Sequence, residues 1–211
     1  MTANRHHPRG ASIVAILLAA GESVRMGSPK PLLDWGGQTL IEYQVTQLEQ
    51  SGVGDVVVVL GHAAEDLRPV IQPLGVRIVV NERYAEGRAS SLRCGASAIA
   101  GRAATIIVAS VDQPRPAALI RRLLADYAGS GKCMAVPVHA GRRGHPVVAD
   151  GELLGELRQV SDESQGLRAL LARHGDDVLD VPFESPLVLL DINTPEQYEV
   201  AKAVYFPQIG E

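Results

Sequence analysis

A segment near the start of the chain carries residue types that bind phosphate groups. Gly21 and Gly27 permit tight turns and close backbone approach, while Ser23, Arg25 and Lys30 add hydrogen-bond donors and positive charge. Backbone N–H groups and charge-assisted side-chain bonds of this kind suit a polyphosphate. The spacing matches neither the Walker A loop nor the dinucleotide fingerprint G-x-G-x-x-G. An exposed solvent loop with ordinary surface cations is the alternative interpretation.

Two aspartates stand directly after apolar runs. Asp112 follows the run 105–110, and Asp191 follows the run 186–190. If both runs are parallel strands of one sheet, both carboxylates face the crevice beyond its carboxyl edge, together with the first loop. Two carboxylates beside a triphosphate are a usual way to hold Mg²⁺, whose other ligands are water and phosphate oxygens. The alternative for each aspartate is a helix cap, which is weaker for Asp191 because Thr194 is better placed to cap the final helix.

The elements that must position these residues are strand-length apolar runs that alternate with helix-length amphipathic stretches. Strands are predicted at residues 12–18, 55–60, 76–80, 105–110, 133–138, 145–148 and 186–190. Helices are predicted at residues 39–51, 63–71, 90–100, 116–127, 166–174 and 194–204. Most of the strand runs lack polar alternation, as expected for strands covered on both faces. This order predicts an α/β fold, a three-layer α/β/α sandwich with a mostly parallel sheet.

Local signals mark the ends of two helices and one irregular region. The pair Ser51-Gly52 closes the first helix. The last helix has Thr194 as N-cap, Pro195 at its first position and Gln197 as the returning partner of a capping box. Between residues 129 and 165 the pattern is irregular, which predicts an inserted, substrate-facing region on the same core.

Composition excludes several classes of protein. A chain of 211 residues that is 46% hydrophobic can bury a sizeable core. With 20 basic and 24 acidic residues, its net charge of −4 argues against nucleic-acid and membrane-surface partners. Apolar runs are too short to span a bilayer, and Cys94 and Cys133 lack metal-type or disulfide spacing. We expect a cytoplasmic protein with a flexible tail, 1–11, and a single domain, 12–211.

Several other polar residues admit two interpretations. His62 follows a predicted strand and is either a structural turn residue or a nucleotide contact. His145 stands at a predicted strand start and is either structural or functional. Arg168 and the pair at 142–143 are either solvated surface charges or contacts for an anionic acceptor.

The segment LAAGESVRMGSPKPLL, residues 18–33, resembles the signature of the molybdenum cofactor cytidylyltransferase-like nucleotidyltransferases. The resemblance continues in order through SGVGDVVVVLGHAAE (51–65), NERYAEGRASSLRCG (81–95), VDQP (111–114), GHPV (144–147), GLRALL (166–171) and LDINTP (190–195). It covers almost the whole chain beyond the tail, and seven ordered blocks are more specific than any single one. It implies a Rossmann-like nucleotidyltransferase fold, in agreement with the order of elements.

The resemblance also implies roles for individual residues. Arg25, Lys30 and Asp112 would be catalytic, and Asp112 with Asp191 would hold Mg²⁺. The nucleotide would be bound by Leu18, Ala19, Ala20, Gly21, Ser23, Arg25, Lys30, Asn81, Gly87, Ser90 and Ser91. The acceptor would be bound by Gly144, His145 and Arg168.

The implied reaction transfers CMP from CTP to the phosphate of a molybdopterin-type cofactor and releases pyrophosphate. Relatives that use GTP commonly read LAGG in the first block, whereas this chain has Ala20 in place of the first of those glycines, which favours CTP. A phosphate monoester has a second pKa of about 6, so the nucleophile is already ionised and needs no general base. Positioning and charge neutralisation then suffice. The implied partners are CTP, the cofactor and a molybdoenzyme that receives the product.

Other functions stay open at this point. The same chemistry could use GTP or another phosphorylated acceptor. Some proteins of the family carry the name nicotine blue oxidoreductase, which implies a reduced nicotinamide, although the dinucleotide fingerprint is missing and two carboxylates would be idle. A non-catalytic chaperone that holds a cofactor for a molybdoenzyme is the fourth hypothesis.

Overall fold

The computed structural model describes residues 12–101, 103–162 and 166–206, so the predicted tail, 1–11, lies outside the described residues. The strands in these ranges are β1 (Ile13–Ala19), β2 (Asp55–Leu60), β3 (Arg77–Val80), β4 (Thr105–Ser110), β5 (Met134–His139), β6 (Arg142–Arg143), β7 (Val147–Asp150) and β8 (Val178–Pro182). The α-helices are α1 (Leu40–Gln50), α2 (Ala64–Ile71), α3 (Arg88–Ala98), α4 (Ala117–Tyr127), α5 (Leu154–Leu157), α6 (Leu167–Arg173) and α7 (Pro195–Tyr205).

All eight strands join one sheet, in the order β3-β2-β1-β4-β7-β5-β6, with β8 paired to β5. The pairs β1–β2, β2–β3, β1–β4 and β5–β8 are parallel, and the three pairs made by β7 and β6 are antiparallel. Four of the seven pairings are therefore parallel. The predicted α/β fold with a mostly parallel sheet is confirmed.

Helices cover both faces of the sheet. Successive residues of a strand point to opposite faces, so a strand buried on both sides is apolar throughout. In β1, Ala15 and Leu17 pack in the core under α1, α2, α4 and α7, while Val14 and Ile16 pack in the core under α3, α5 and α6. These two cores explain the continuous apolar runs in the sequence and confirm the three layers.

Local capping residues start the first and last helices. The cap of the last helix was predicted and is present with one difference, whereas that of the first was not predicted. Thr39 Oγ1 accepts from Glu42 N–H and the Glu42 carboxylate accepts from Thr39 N–H at 2.7 Å, which forms a capping box for α1. Thr194 caps α7 through Gln197 N–H. Gln197 Oε1 returns to the N–H of Asn193 at 2.8 Å rather than to that of Thr194.

The prediction of a strand at 186–190 is wrong. Residues Pro186–Leu189 form a 3-10 turn, started by Ser185, whose Oγ accepts from Leu187 N–H. An apolar run of this length has the same composition in a buried turn as in a strand, and Val188 is fully buried here. The last parallel strand is β8 instead, which pairs with β5 from Val178 onward.

The prediction that residues 129–165 form an inserted region is also wrong. Strands β5 and β7 lie inside the sheet, where β7 runs antiparallel between β4 and β5. The buried segments Met134–Val136 and Val147–Ala149 are part of the core. The pattern looked irregular because hairpin connections and short strands interrupt the β-α alternation.

The C-terminal helix is anchored through aromatic side chains. Trp35 is fully buried, and its ring lies within 5.1–6.4 Å of the rings of Tyr43, Tyr198, Tyr205 and Phe206, measured between centroids. Trp35 and Tyr43 therefore serve packing. Among the described helices, none combines the length and apolar character that a membrane span requires.

Candidate active site

The strand order reverses beside β1, because the chain continues to β2 and β3 on one side and to β4 on the other. Ligands of open α/β sheets bind in the crevice outside the carboxyl ends of the strands at such a switch point. Leu18 and Ser110 face each other in register, and Val111 N–H donates to Leu18 O at 2.9 Å. The chain then diverges, and the first cavity opens between the two strand ends.

The loop after β1 turns around Ser23. Ser23 has a left-handed backbone with φ of 57°, and Gly27 follows with φ of 72°. The N–H of Lys30 donates to Ser23 Oγ at 3.1 Å, which closes the loop. A Cβ placed on Gly21 would find no atom within 4 Å, so there is open space beside its backbone. The loop therefore leaves room for a ligand at the carboxyl end of β1.

Lys30 joins the three segments predicted to meet at this edge. Its Nζ donates to Asp112 Oδ2 at 3.2 Å and to Asn193 Oδ1 at 2.9 Å. The side chains of Lys30 and Asp112 are 12% and 18% exposed. Burial alone would raise the pKa of Asp112, but the charges of Arg88 and Lys30 and hydrogen bonds from Ser110 and Lys30 together outweigh it. The pKa is therefore lowered, and the carboxylate is ionised at neutral pH.

The donor set at Asp112 fits a hard divalent cation. Its Oδ1 is buried and accepts no hydrogen bond from the described residues, which leaves an ionised oxygen free for a ligand. Asp191 lies near Asp112 in space, because the N–H of the next residue, Ile192, donates to Asp112 O at 2.8 Å. Within the described residues no group of three or more His, Cys, Asp or Glu side chains could hold a metal. Two carboxylates with water and phosphate oxygens match the preference of Mg²⁺.

A second cavity adjoins the first and shares Leu18 and Arg88 with it. Its lining includes His145, Arg168 and Asp191. Burial lowers the pKa of His145 to about 4, and the charges of Arg88 and Arg115 add to this effect. His145 is therefore neutral at pH 7, and the positive charge of this cavity comes from arginine side chains.

The structure brings most of the predicted site residues to these two cavities. The first cavity is lined by Leu18, Ala19, Ala20, Gly21, Ser23, Lys30, Gly87, Ser91 and Asp112. Of the residues predicted for the acceptor or the metal, His145, Arg168 and Asp191 line the second. Arg25, Asn81, Ser90 and Gly144 line neither. Their functional roles stay predictions.

Asn81 and Ser90 belong to an internal polar network beside the first cavity. Asn81 is 6% exposed, and its Nδ2 donates to Ser90 Oγ at 2.8 Å and to Ser91 Oγ at 3.0 Å. Ser90 Oγ in turn lies 2.8 Å from Gly87 O and 2.9 Å from Arg83 O. This network links the loop after β3 to α3. Of Asn81, Ser90 and Ser91, only Ser91 also lines the first cavity.

Gly144 and Arg25 have different local settings. Gly144 is buried, and a side chain there would collide with the carbonyl oxygen of Val188, so this glycine allows close backbone packing. Its N–H donates to Pro137 O at 2.8 Å. Arg25 is exposed on the loop after β1. At the predicted pair 142–143, Arg143 is bound to Asp180 at 2.7 Å on the exposed hairpin.

Sequence reasoning missed two arginines, one that lines the cleft and one that is buried. Arg88 is the first residue of α3 and lines both cavities. Arg115 lies directly after the VDQP block and is 2% exposed. The position of Arg88 after Gly87, two residues before the predicted helix start at 90, was the available signal for the first. Nothing in the local sequence distinguishes Arg115 from a surface arginine.

Arg115 holds together the segments that carry the candidate ligands. Its guanidinium donates to the carbonyl oxygens of Pro114, His145, Val188 and Leu190 at 2.8–2.9 Å. No carboxylate of the described residues lies within ion-pair distance of it. Burial lowers its pKa to about 10, although the carboxylates of Asp191 and Asp112 act in the opposite direction, and it remains protonated at neutral pH.

Comparison with known proteins agrees with this geometry. Residues 15–178 match the family model described as the MobA-like NTP transferase domain. The chain belongs to this family. It is accordingly a nucleotidyltransferase of the MobA-like family, and the suspected resemblance is confirmed at the level of the family.

Individual relatives carry different names. A nicotine blue oxidoreductase from Paenarthrobacter nicotinovorans is 33% identical over 88% of this chain and 94% of its own length. A molybdenum cofactor cytidylyltransferase from Escherichia coli is 26% identical over 92% and 98%. A molybdenum cofactor guanylyltransferase from Xanthomonas euvesicatoria is 32% identical over 87% and 90%. The crystal structure of Rv0371c from Mycobacterium tuberculosis in complex with manganese is 27% identical over 90% and 97%, with a TM-score of 0.74.

Proposed function

We propose that the protein transfers CMP from CTP to the phosphate of a molybdopterin-type cofactor and releases pyrophosphate. One observation carries the proposal: an ionised Asp112 with an uncommitted oxygen stands beside Lys30 at the switch point of the sheet. An anion-binding cation and a metal-binding carboxylate at one position suit a nucleoside triphosphate with its metal. The family membership and the cytidylyltransferase relative support the same reaction.

The first cavity would hold the nucleotide. Backbone N–H groups of the loop after β1, with Ser23 and Lys30, would bind the phosphates. Gly87 and Ser91 also line this cavity and would approach the base and ribose. Asn81 and Ser90 would act indirectly, because their network positions Ser91.

Asp112 and Asp191 are the residues that would hold Mg²⁺. The uncommitted Oδ1 of Asp112 fits this role, and the manganese complex of Rv0371c supports a divalent cation in this fold. A bound Mg²⁺ would neutralise charge on the triphosphate. Lys30, which holds Asp112 in the structure, would add a second positive charge on the same side.

The second cavity would hold the acceptor. A phosphate oxygen of the acceptor attacks the α-phosphorus of CTP, a new P–O bond forms, and the bond to the pyrophosphate breaks. The attacking phosphate is already largely ionised near neutral pH, so no side chain has to remove a proton. His145 remains neutral there, and Arg168 would supply the charge that binds the acceptor. A molybdoenzyme would receive the product.

The choice of CTP over GTP depends on Ala20 in this proposal. Ala20 lines the first cavity at the position where GTP-using relatives commonly carry glycine. Relatives named for each of the two nucleotides match the chain, so the alternative is guanylyl transfer at the same site.

A second candidate function is reduction of an oxidised substrate by a reduced nicotinamide. The relative named nicotine blue oxidoreductase, 33% identical over nearly the full length, favours it. The chain lacks G-x-G-x-x-G after β1, and the arrangement of Lys30 with Asp112 has no evident task in hydride transfer.

The decisive experiment measures pyrophosphate release from CTP, GTP and ATP with Mg²⁺, with and without molybdopterin cofactor. NAD(P)H oxidation with nicotine blue is followed in parallel. CTP-selective, cofactor-dependent release supports the proposal, and GTP-selective release supports the alternative nucleotide. NAD(P)H oxidation without release would overturn both. Binding of cofactor without either reaction would indicate a cofactor-binding chaperone.

A further inference from the structure

Arg88 occupies the boundary between the two cavities. It is exposed, it begins α3, and it lines both the first and the second cavity. Leu18 is the other residue that both cavities share, and it is apolar. Among the described residues, Arg88 is thus the only charged one that lines both of these cavities.

Neighbouring arginines of the same segment are neutralised, whereas Arg88 is not. Arg83 is bound to Glu86 at 2.5 Å, and Arg93 lies 3.7 Å from the same carboxylate. Arg93 also donates to Val160 O at 2.7 Å. Within the part of the chain that the structure describes, Arg88 has no ion pair and no hydrogen bond from its side chain. Its guanidinium is available to an anion.

The charge of Arg88 acts on titratable groups in both cavities. On the side of the first cavity, burial raises the pKa of Asp112, and the charge of Arg88 is one of the causes that together lower it, with Lys30 and Ser110. On the side of the second cavity, after burial, it is the largest cause of the lowered pKa of His145. Its field therefore extends over both places where phosphate groups would lie.

The backbone in front of Arg88 has a defined conformation. Gly87 has φ of 112° and ψ of 176°, a region that is essentially restricted to glycine. A side chain on Gly87 would also collide with the carboxylate of Asp162, which accepts from Ala89 N–H at 3.0 Å. These contacts set where α3 begins and so where its first side chain leaves the helix.

We propose that Arg88 is a contact shared by the two substrates, binding a phosphate of the nucleotide in the first cavity and the phosphate of the acceptor in the second. This inference rests on the proposed function. Two anions must approach each other for the transfer, and their repulsion opposes it. A guanidinium has five donors in a planar fork and stays charged, so it can bind oxygens of both groups. Arg88 would thereby lower the barrier to bringing the attacking oxygen to the α-phosphorus.

The kinetic test compares Arg88→Ala and Arg88→Lys with Arg83→Ala. Arg83 belongs to the same segment, is exposed and lines neither cavity, so its variant is the matched control. Pyrophosphate release is measured over a grid of CTP and acceptor concentrations. Arg88→Ala should weaken the apparent affinity for both substrates about tenfold or more, the loss expected for a charge-assisted hydrogen bond. The affinities of Arg88→Lys should lie between those of the wild type and those of Arg88→Ala, because lysine keeps the charge but lacks the planar set of donors.

A change in the affinity for one substrate alone, or an effect no larger than that of Arg83→Ala, would overturn the proposal. Binding measurements separate this failure from failure of the proposed function. Titrations follow Mg²⁺-CTP, and then inorganic phosphate in the presence of Mg²⁺-CTP, by calorimetry. If the wild type releases no pyrophosphate but binds both probes, the function fails, and weaker binding of both by Arg88→Ala still supports the shared contact. Unchanged binding of either probe, or no binding to the wild type, would refute it.

Discussion

The first cavity is lined by the ends of the paired parallel strands β1 and β4 and the loops that follow them, with residues at the start of α3. The second cavity touches the same two strands at Leu18 and Val108, but most of its lining comes from α3, α6 and the segments that contain His145 and Asp191. Around the first, sheet hydrogen bonds hold the backbone as far as Leu18 and Val111. Around the second, His145 and Leu190 are held through carbonyl bonds to one arginine, Arg115. We therefore expect the nucleotide chemistry to depend on the sheet and the choice of acceptor to depend on side chains.

The largest effect is expected from removing the charge at the first cavity. Asp112→Asn should lower the rate of pyrophosphate release by about 10²–10³-fold, because it removes the ionised oxygen that would hold the metal. Rates are measured at saturating CTP over a series of Mg²⁺ concentrations. The control is Asp126→Asn, an exposed carboxylate on α4 that pairs with Arg122. Metal-dependent release at the wild-type rate would remove Asp112 from the site.

Removing the hydrogen bonds of Arg115, which support the second cavity, should mainly lower the stability of the fold. Arg115→Met leaves four carbonyl oxygens without this donor and should lower the free energy of unfolding by about 2–4 kcal/mol. Urea denaturation measures it against Arg121→Met, whose exposed side chain donates only to Gln50 O among the described residues. The remaining activity should show a larger rise in KM for the acceptor than for CTP. Equal losses of stability in the two variants would contradict the role assigned to Arg115.

The burial of His145 should appear as a pH dependence of stability. Its pKa is about 4 in the folded protein and about 6.5 in the unfolded chain, so between these values the unfolded state binds more protons. This contribution to stability should therefore fall as the pH drops from 6.5 toward 4, by up to about 1.4 kcal/mol per pH unit. Urea denaturation between about pH 4.5 and 7.5 measures the slope. His145→Gln should reduce the slope relative to the wild type.

The smallest effect concerns the nucleotide base. Ala20→Gly should shift the ratio of kcat/KM for CTP and GTP toward GTP by about tenfold, the discrimination expected for one methyl group in a pocket. Ala19→Gly, also in the lining of the first cavity, controls for the added backbone freedom. An equal ratio in the two variants would show that base choice lies elsewhere in the cavity.

Local patterns predicted correctly that Asp112 follows a parallel strand. They also placed Asp191 at the cleft, but the element that precedes it is not the predicted strand. Asp112 follows β4, an apolar run that does form a parallel strand, as expected. Asp191 follows a 3-10 turn, and it reaches the cleft because Ile192 bonds to Asp112 and Leu190 bonds to Arg115. Those contacts join residues that are 75 or more positions apart, which no local pattern encodes.

Arg115 and Asn81 both show that the local sequence does not determine what a polar side chain contacts. Arg115 has the sequence context of a surface residue but is buried. Asn81 was predicted to contact the nucleotide, and its amide group donates hydrogen bonds to Ser90 and Ser91. A polar side chain binds a ligand or stabilises the fold according to which partners reach it, and those partners come from other elements.

By itself, the sequence determined the alternation of strands and helices, the end of α1, the capped start of α7 and the family. These features depend on residue types and on spacings of a few positions, which local sterics and periodic burial translate directly into structure. Only the tertiary structure decided that β7 runs antiparallel inside the sheet, that Lys30 holds Asp112 and Asn193 from 82 and 163 positions away, and that Arg88 lies between two cavities. Such arrangements follow from how the separate elements pack, because contacts between distant residues form only when the whole core is assembled.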